Sequence, residues 1–423
     1  MPAKSAAQWN PSDLVRRVIN ALNIANQTVR ALVEIDPATA KSEPAENGSN
    51  WFLRGKIVSE TAMLLLCVDP IRNLDKRILE QAEKVTNLII PYARHEEVLG
   101  AICLDPGLAS DHAVAHILLS RLGYPDRDVD HLLSKSLAMG IDFGPERLPH
   151  SLLKQAWLAR VWNVCKPPRR SDSQLLADSM LGRSMDALGA TRMDIYAFTH
   201  AVMYASDFGE RRTALPRPTA AIAADADTAL AHSLDSNDFD LAAEVILTWP
   251  MLGFKWSPIA TFAFLVLTNV EDRIGFLPGS TFDLNRYWAL TGEERARFAL
   301  VTSYHTAYVM GFLCAVALRP DCAPPVVVPS ARSSRGAGAA ILSLVNTGNP
   351  MPCWREPFAA LSSRQQDSVA QLVLATLLRR ARAAGDLGLV RDALKVALTH
   401  DLIDGPAPIQ AAALLRRSQA LKL

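Results

Sequence analysis

The sequence has no excess of either charge. Its 44 Lys and Arg stand against 43 Asp and Glu, a formal net charge of +1 over 423 residues. A nucleic-acid footprint needs a basic surplus and a solvating tail an acidic one, so neither class of partner is expected. Long apolar runs are also missing. The longest, residues 307–318, has twelve residues, where a bilayer span takes ~18 or more. Residues 1–13 are polar with one Lys and offer no apolar stretch of signal-peptide length. The six cysteines, Cys67, Cys103, Cys165, Cys314, Cys322 and Cys353, lie far apart with no CxxC pair. Most sit in apolar surroundings, where a reduced Cys behaves as a small hydrophobe. A cytoplasmic protein without membrane contact is expected. Motifs of several enzyme classes are lacking too: no GxGxxG or Lys-Ser/Thr phosphate loop, no GxSxG elbow and no DDxxD cluster.

What is present is helical periodicity. Hydrophobic residues make up 49% and charged residues 21%, as in a folded, apolar-cored chain. Residues 12–35 open on Ser12-Asp13 and repeat apolar positions at three and four (Leu14, Val18, Leu22, Ala25). Further helices are predicted over 51–68, 75–92, 108–122, 127–139, 145–164, 172–188, 191–207, 220–234 and 238–252. Beyond these come 257–270, 292–318, 337–345, 362–384, 387–399 and 407–419. Short turns between them predict an all-α fold of stacked helical hairpins, an α/α toroid either complete or incomplete. Two connectors stand out: 209–219, with Pro216 and Pro218, and 319–335, with four prolines followed by Ser-Ser-Arg. The second marks an expected boundary between a main domain, 1–335, and a closing helical segment, 336–423.

Ionisable residues interrupt helices that are apolar nearly all round, and buried charge must be paired, metal-bound or neutralised. His200 and Tyr204 are four apart on one such helix, and Asp207 returns to the same face at seven. Asp240 and Glu244 share a face of another. His305 sits in the most apolar segment, and His112 and His116 are four apart in a fourth block. Converging on one metal, His200, Glu244 and His305, with help from His112 or His116, would make the two-His, one-carboxylate set of non-haem iron or catalytic zinc. The plainer alternative is that each His donates to a carbonyl or carboxylate and specifies packing. At ~1.5 Å per residue, Asp207 and Asp240 are offset in opposite directions along their helices, so they do not fit the same ion. Asp240 suits a helix N-terminus, with Asn237 or Asp238 as the cap. Asp207 suits a last turn only if Arg211 or Arg212 compensates it. The Gly275-Phe-Leu-Pro-Gly279 stretch reads as a tight turn. Trp157, Trp162, Trp249 and Trp256 read as core aromatics or the floor of a cavity, and the pairs Arg169-Arg170 and Arg211-Arg212 as solvated charge.

The blocks Tyr196-Ala-Phe-Thr-His200, Tyr204-Ala-Ser-Asp-Phe-Gly209, Asp240-Leu-Ala-Ala-Glu244 and Tyr304-His-Thr306 with Gly311 resemble an uncharacterised, mainly actinobacterial protein family. That resemblance implies no activity. More loosely, paired helices with a glycine-bounded, proline-containing turn resemble the α/α toroids of terpenoid cyclases, prenyltransferase β-subunits and lanthionine cyclases. Their sites lie in a central cavity lined by inner helices. The Cys-Cys-His zinc set of lanthionine cyclases and the aspartate motifs of terpenoid cyclases are both missing.

The expectation is a metal-dependent tailoring enzyme of bacterial specialised metabolism acting on a peptide or small molecule in a central helical cavity. One divalent transition metal, iron ahead of zinc or copper, would sit on His200, Glu244 and His305. Tyr204 or Tyr308 would donate a proton. Iron implies oxidative chemistry; zinc implies a lyase, cyclase or hydrolase. An oligomer is compatible with the sequence. The competing readings are a non-catalytic helical binding or partner protein and a metal-free cyclase using Asp207 or Glu244 as general acid.

Overall fold

A computed structural model describes residues 11–33, 50–140, 146–162, 171–331, 336–345 and 352–420. Cys165, the Arg169-Arg170 pair and the Ser-Ser-Arg end of the second connector lie outside the described residues. Among the described residues the protein is all-α, without a strand. Contacts divide the chain into two interleaved units. An N-terminal unit joins 11–176 to 276–320, and a C-terminal unit joins 177–275 to 321–423. The expected boundary at 335 falls inside the C-terminal unit, and the segment 336–423 groups with 177–275.

The N-terminal unit is built on four helices, Pro11–Leu32, Asn50–Val68, Lys76–Ala93 and Gly292–Ala317. Gly292–Ala317 packs on Pro11–Leu32 and Asn50–Val68, and Lys76–Ala93 packs on the same two, closing a four-helix bundle. By length and composition Gly292–Ala317 would be long and apolar enough to cross a membrane; its most apolar window, mean hydropathy 1.4, is 78% buried inside the protein. Gly311 explains how closely this helix approaches its neighbours. A Cβ there would lie 2.5 Å from Ala21 Cβ and 3.0 Å from Leu64 Cδ1. Val114–Arg121 packs on Asn50–Val68 and on Pro149–Trp162, while Glu96–Leu104 pairs with Arg127–Gly140.

In the C-terminal unit the alanine-rich helix Thr219–Asp235 is central. It touches Phe239–Ile246, Pro258–Ile274, Ala370–Ala383 and Pro406–Ala420. Arg380 clamps it to Ala370–Ala383 through both oxygens of Asp235, at 2.9 and 2.6 Å. All eight residues of Phe239–Ile246 are buried, and this helix packs on Arg192–Ala205 and Pro258–Ile274. Its large apolar side chains contribute about 1.5–3 kcal/mol each on burial, which offsets the cost of enclosing Asp240 and Glu244.

Several expected long helices are broken for local reasons. The 238–252 helix ends at Ile246 and restarts as Thr248–Leu252, because the Pro250 ring clashes with the carbonyl four residues back. The 172–188 helix stops at Asp178. The chain turns so tightly there that a Cβ on Gly182 would lie 1.9 Å from the Ala177 carbonyl oxygen. The 108–122 helix breaks at Ala113, so His112 ends one short helix and His116 lies in the next.

Candidate functional site

In the C-terminal unit, a capping box starts the helix carrying His200: Thr191 caps Asp194 and Asp194 returns the bond. The helix Phe239–Ile246 starts on Asp238, whose Oδ1 accepts from the Leu241 amide at 3.2 Å. The two helices bring Thr199, His200 and Glu244 together. Thr199 Oγ1 lies 2.6 Å from Glu244 Oε2 and 3.0 Å from the Tyr196 carbonyl. It has one proton, and the shorter bond, to the carboxylate, takes it. His200 Nδ1 is 3.0 Å from the Tyr196 carbonyl, which can only accept, so Nδ1 carries a proton. Glu244 Oε2 is 3.7 Å from the same nitrogen. Tyr196 stacks on the imidazole at 3.7 Å and Tyr204 meets it edge-on at 5.7 Å. This holds the ring with Nε2 as the nitrogen suited to a metal or a proton transfer.

Asp240 lies one turn before Glu244. Arg192 donates to Asp240 Oδ2 at 3.2 Å and to Asp238 Oδ2 at 2.8 Å. Asp207 is not on the His200 face. The helix ends at Ala205, and Asp207 and Phe208 take left-handed backbone with φ of 51° and 52° before Gly209 at 87°. Such residues cost of order 1 kcal/mol each, offset here by the burial of Phe208. Arg211 does compensate the helix end, by donating to the Ala205 carbonyl at 2.8 Å.

In the N-terminal unit His305 meets a residue the sequence reading passed over. Its Nδ1 lies 3.1 Å from Glu60 Oε1, with Glu60 13% and His305 30% exposed. Glu60 Oε2 is buried without a hydrogen bond of normal geometry among the described residues. Burial opposes ionisation of Glu60, but the charge and hydrogen bond of His305, with Lys56 and the Tyr304 hydroxyl adding, hold its carboxyl below the usual range. The signal was there to be read: Ser59, Glu60 and Thr61 sit in a helix that is otherwise apolar from Ile57 to Val68. Tyr308 is wholly buried with its hydroxyl 3.3 Å from Thr61 Oγ1, and burial pushes the phenol's pKa well up. A phenol so enclosed is a core hydrogen-bonding group and a poor proton donor to a substrate.

A model of the family described as Domain of unknown function (DUF6895) matches residues 28–315, the greater part of the chain. The chain belongs to this family. No curated protein matches it, and no solved structure matches it. The DUF6895 span takes in Glu60, His200, Glu244 and His305 and stops before 316–423.

The other expected ligands of this DUF6895 chain are engaged elsewhere. His116 Nε2 is 2.9 Å from Asp130 Oδ1, and its Nδ1 accepts from Arg94 Nε at 3.4 Å. Both nitrogens are therefore used, and no lone pair is left for a metal. His112 Nε2 lies 3.9 Å from Asp105 Oδ2, and burial lowers its pKa. The carboxyl that burial raises most clearly is Asp227, pushed to about 7 against the bond from Ser257. Of the tryptophans, Trp157 and Trp249 are core residues, Trp256 donates to the Cys322 carbonyl at 3.1 Å, and Trp162 lines a cavity. Gly275 caps its helix in left-handed backbone, and Gly279 sits where a Cβ would meet the Thr302 carbonyl at 2.1 Å.

Proposed function

We propose that the protein is a metal-dependent enzyme of bacterial specialised metabolism, acting in the cytoplasm on a peptide or small molecule. His200 and Glu244 are its ligands in the C-terminal unit, and Glu60 and His305 in the N-terminal unit. The observation that carries this reading is Glu60, a buried carboxylate 3.1 Å from an imidazole in the core of a four-helix bundle. An enclosed carboxylate of this kind is costly by itself, and a bound cation repairs the cost. Bundle cores are also where side chains on facing helices hold such ions.

Imidazole and carboxylate donors without thiolate favour iron over zinc or copper. Iron, when bound, supplies oxidative chemistry. Thr199 and the Tyr196 carbonyl orient Glu244 and His200, and Tyr204, against the imidazole, is placed to give up a proton. A non-catalytic binding protein is the second reading. It is favoured by the internal partners of Asp240, His112 and His116, which show that this chain pairs its enclosed polar groups freely.

Metal analysis of protein grown with iron, zinc or copper and purified without chelator tests the proposal. About one ion or more per chain is expected, with proton release on binding, and clear loss in Glu60→Gln, His200→Ala and His305→Ala. Folded wild-type protein that stays metal-free under all three supplements overturns it in favour of the binding protein. So does metal content that none of the three substitutions lowers.

A further inference from the structure

A cavity of about 310 Å³ in the N-terminal unit involves none of the four residues above. It lies among the helices Val114–Arg121, Arg127–Gly140 and Pro149–Trp162, and its wall presents Asp130. That carboxylate is fixed from behind. Its Oδ1 accepts from His116 Nε2 at 2.9 Å and from Trp162 Nε1 at 3.0 Å, which uses both acceptor positions of one oxygen. His116 is wholly buried, and the Arg94 N–H on Nδ1 sets its tautomer. Burial foremost, with the Arg94 charge adding, lowers the His116 pKa, so the donors holding Asp130 are neutral. Asp130 is positioned by two enclosed N–H groups without a cation on them.

The rest of the wall offers acceptors and apolar surface. Ser134 Oγ gives its proton to the Asp130 carbonyl at 2.8 Å, which leaves only lone pairs for a guest. Ser120 Oγ is buried with no hydrogen-bond partner among the described residues. Ile117, Val161 and the Trp162 indole supply hydrocarbon. Three acceptors beside an apolar wall match an ammonium group, which has three N–H donors and no acceptor, on a short alkyl chain. Arg121 and His131 are exposed at the same cavity, and their basic character disfavours a second positive charge on the guest.

We propose that this cavity is a binding site for a small primary amine with a neutral or anionic tail, whose ammonium sits on Asp130 Oδ2, Ser120 and Ser134. The site lies at the small end of the range of ligand pockets, which suits a small guest. Calorimetric titration of the full-length protein with n-butylamine, 4-aminobutyrate, putrescine and N-butylacetamide tests it. Saturable binding of 4-aminobutyrate and n-butylamine is expected, with putrescine weaker and N-butylacetamide silent. Asp130→Asn weakens the binding about tenfold or more, the loss of a charge-assisted hydrogen bond. Val161→Phe abolishes it by filling the cavity while leaving the Asp130 network in place, and decides the matter if Asp130→Asn does not fold. Binding of N-butylacetamide equal to that of n-butylamine, no saturable amine binding, or amine binding unchanged in Val161→Phe overturns the assignment.

Discussion

Two enclosed carboxylates of the C-terminal unit and one of the N-terminal unit are held in opposite ways. At Glu244 and Asp227 in the C-terminal unit the donor is a hydroxyl, from Thr199 and Ser257, both at 2.6 Å. At Glu60 in the N-terminal unit it is an imidazole, His305 at 3.1 Å. A neutral hydroxyl cannot offset the loss of hydration, and burial carries Asp227 up to about 7 despite its short bond. An imidazole that takes a proton can, and Glu60 is held low despite burial. The lesson is that bond length does not decide whether a buried acid ionises. The charge state open to its partner does.

The largest effect that would break this contrast is on Asp227. Because its proton is kept in the folded state and released in the unfolded chain between about pH 4 and 7, folded stability falls as pH rises through that window and levels off above it. At most roughly 4 kcal/mol is linked to a carboxyl raised this far. Asp227→Asn should remove the slope, leaving the variant more stable than wild type at pH 8. Urea unfolding from pH 4 to 8 reads this directly, and an unchanged slope would show that Ser257 suffices to hold the ionised acid.

Glu60 should behave with the opposite sign. A depressed folded pKa adds stability that is present above the unfolded value, about 4.3, and is lost as pH falls below it. Glu60→Ala should cost about 3 kcal/mol at pH 7, the low end for breaking a buried pair, because His305 is 30% exposed. Glu60→Gln should flatten the acid limb of the stability profile. If Glu60→Ala is neutral, the pair does not hold the bundle together and the imidazole is not charged by Glu60.

How far the sequence could reach is visible in the same residues. Helix starts were legible where chemistry is local: Asp238 and Ser257 cap the helices expected there, and Gly292 opens the long core helix at its expected position. Breaks were less so. Pro250 announces one, but Gly182 stops a helix through contact with the Ala177 carbonyl, which only the folded chain creates. At the site, His200 and Glu244 could be paired by reasoning about apolar helices interrupted by ionisable residues. Glu60 carried the same signal, yet its partner His305 is 245 residues away, and one sequence holds no record of that pairing. The interleaving of 276–320 with 11–176 was hidden for the same reason. Asp207 misled because three consecutive left-handed residues end its helix early, and only Gly209 among them advertises that conformation.

The smallest expected effect sharpens the contrast within the C-terminal unit. Thr199→Val keeps the shape of the side chain and removes the only proton that the hydroxyl brings to Glu244 Oε2. Glu244 is 3% exposed, so water does not readily replace that donor. The loss should be about 1.5 kcal/mol, the upper range for an ordinary buried hydrogen bond, and about half that expected for Glu60→Ala. Thr199→Ser should restore most of it, since the hydroxyl returns and only a methyl is missing. A Thr199→Val variant as stable as wild type would mean that His200, 3.7 Å from the same oxygen, takes over as donor. The two units would then use one imidazole–carboxylate device, and the difference between them would be in geometry alone.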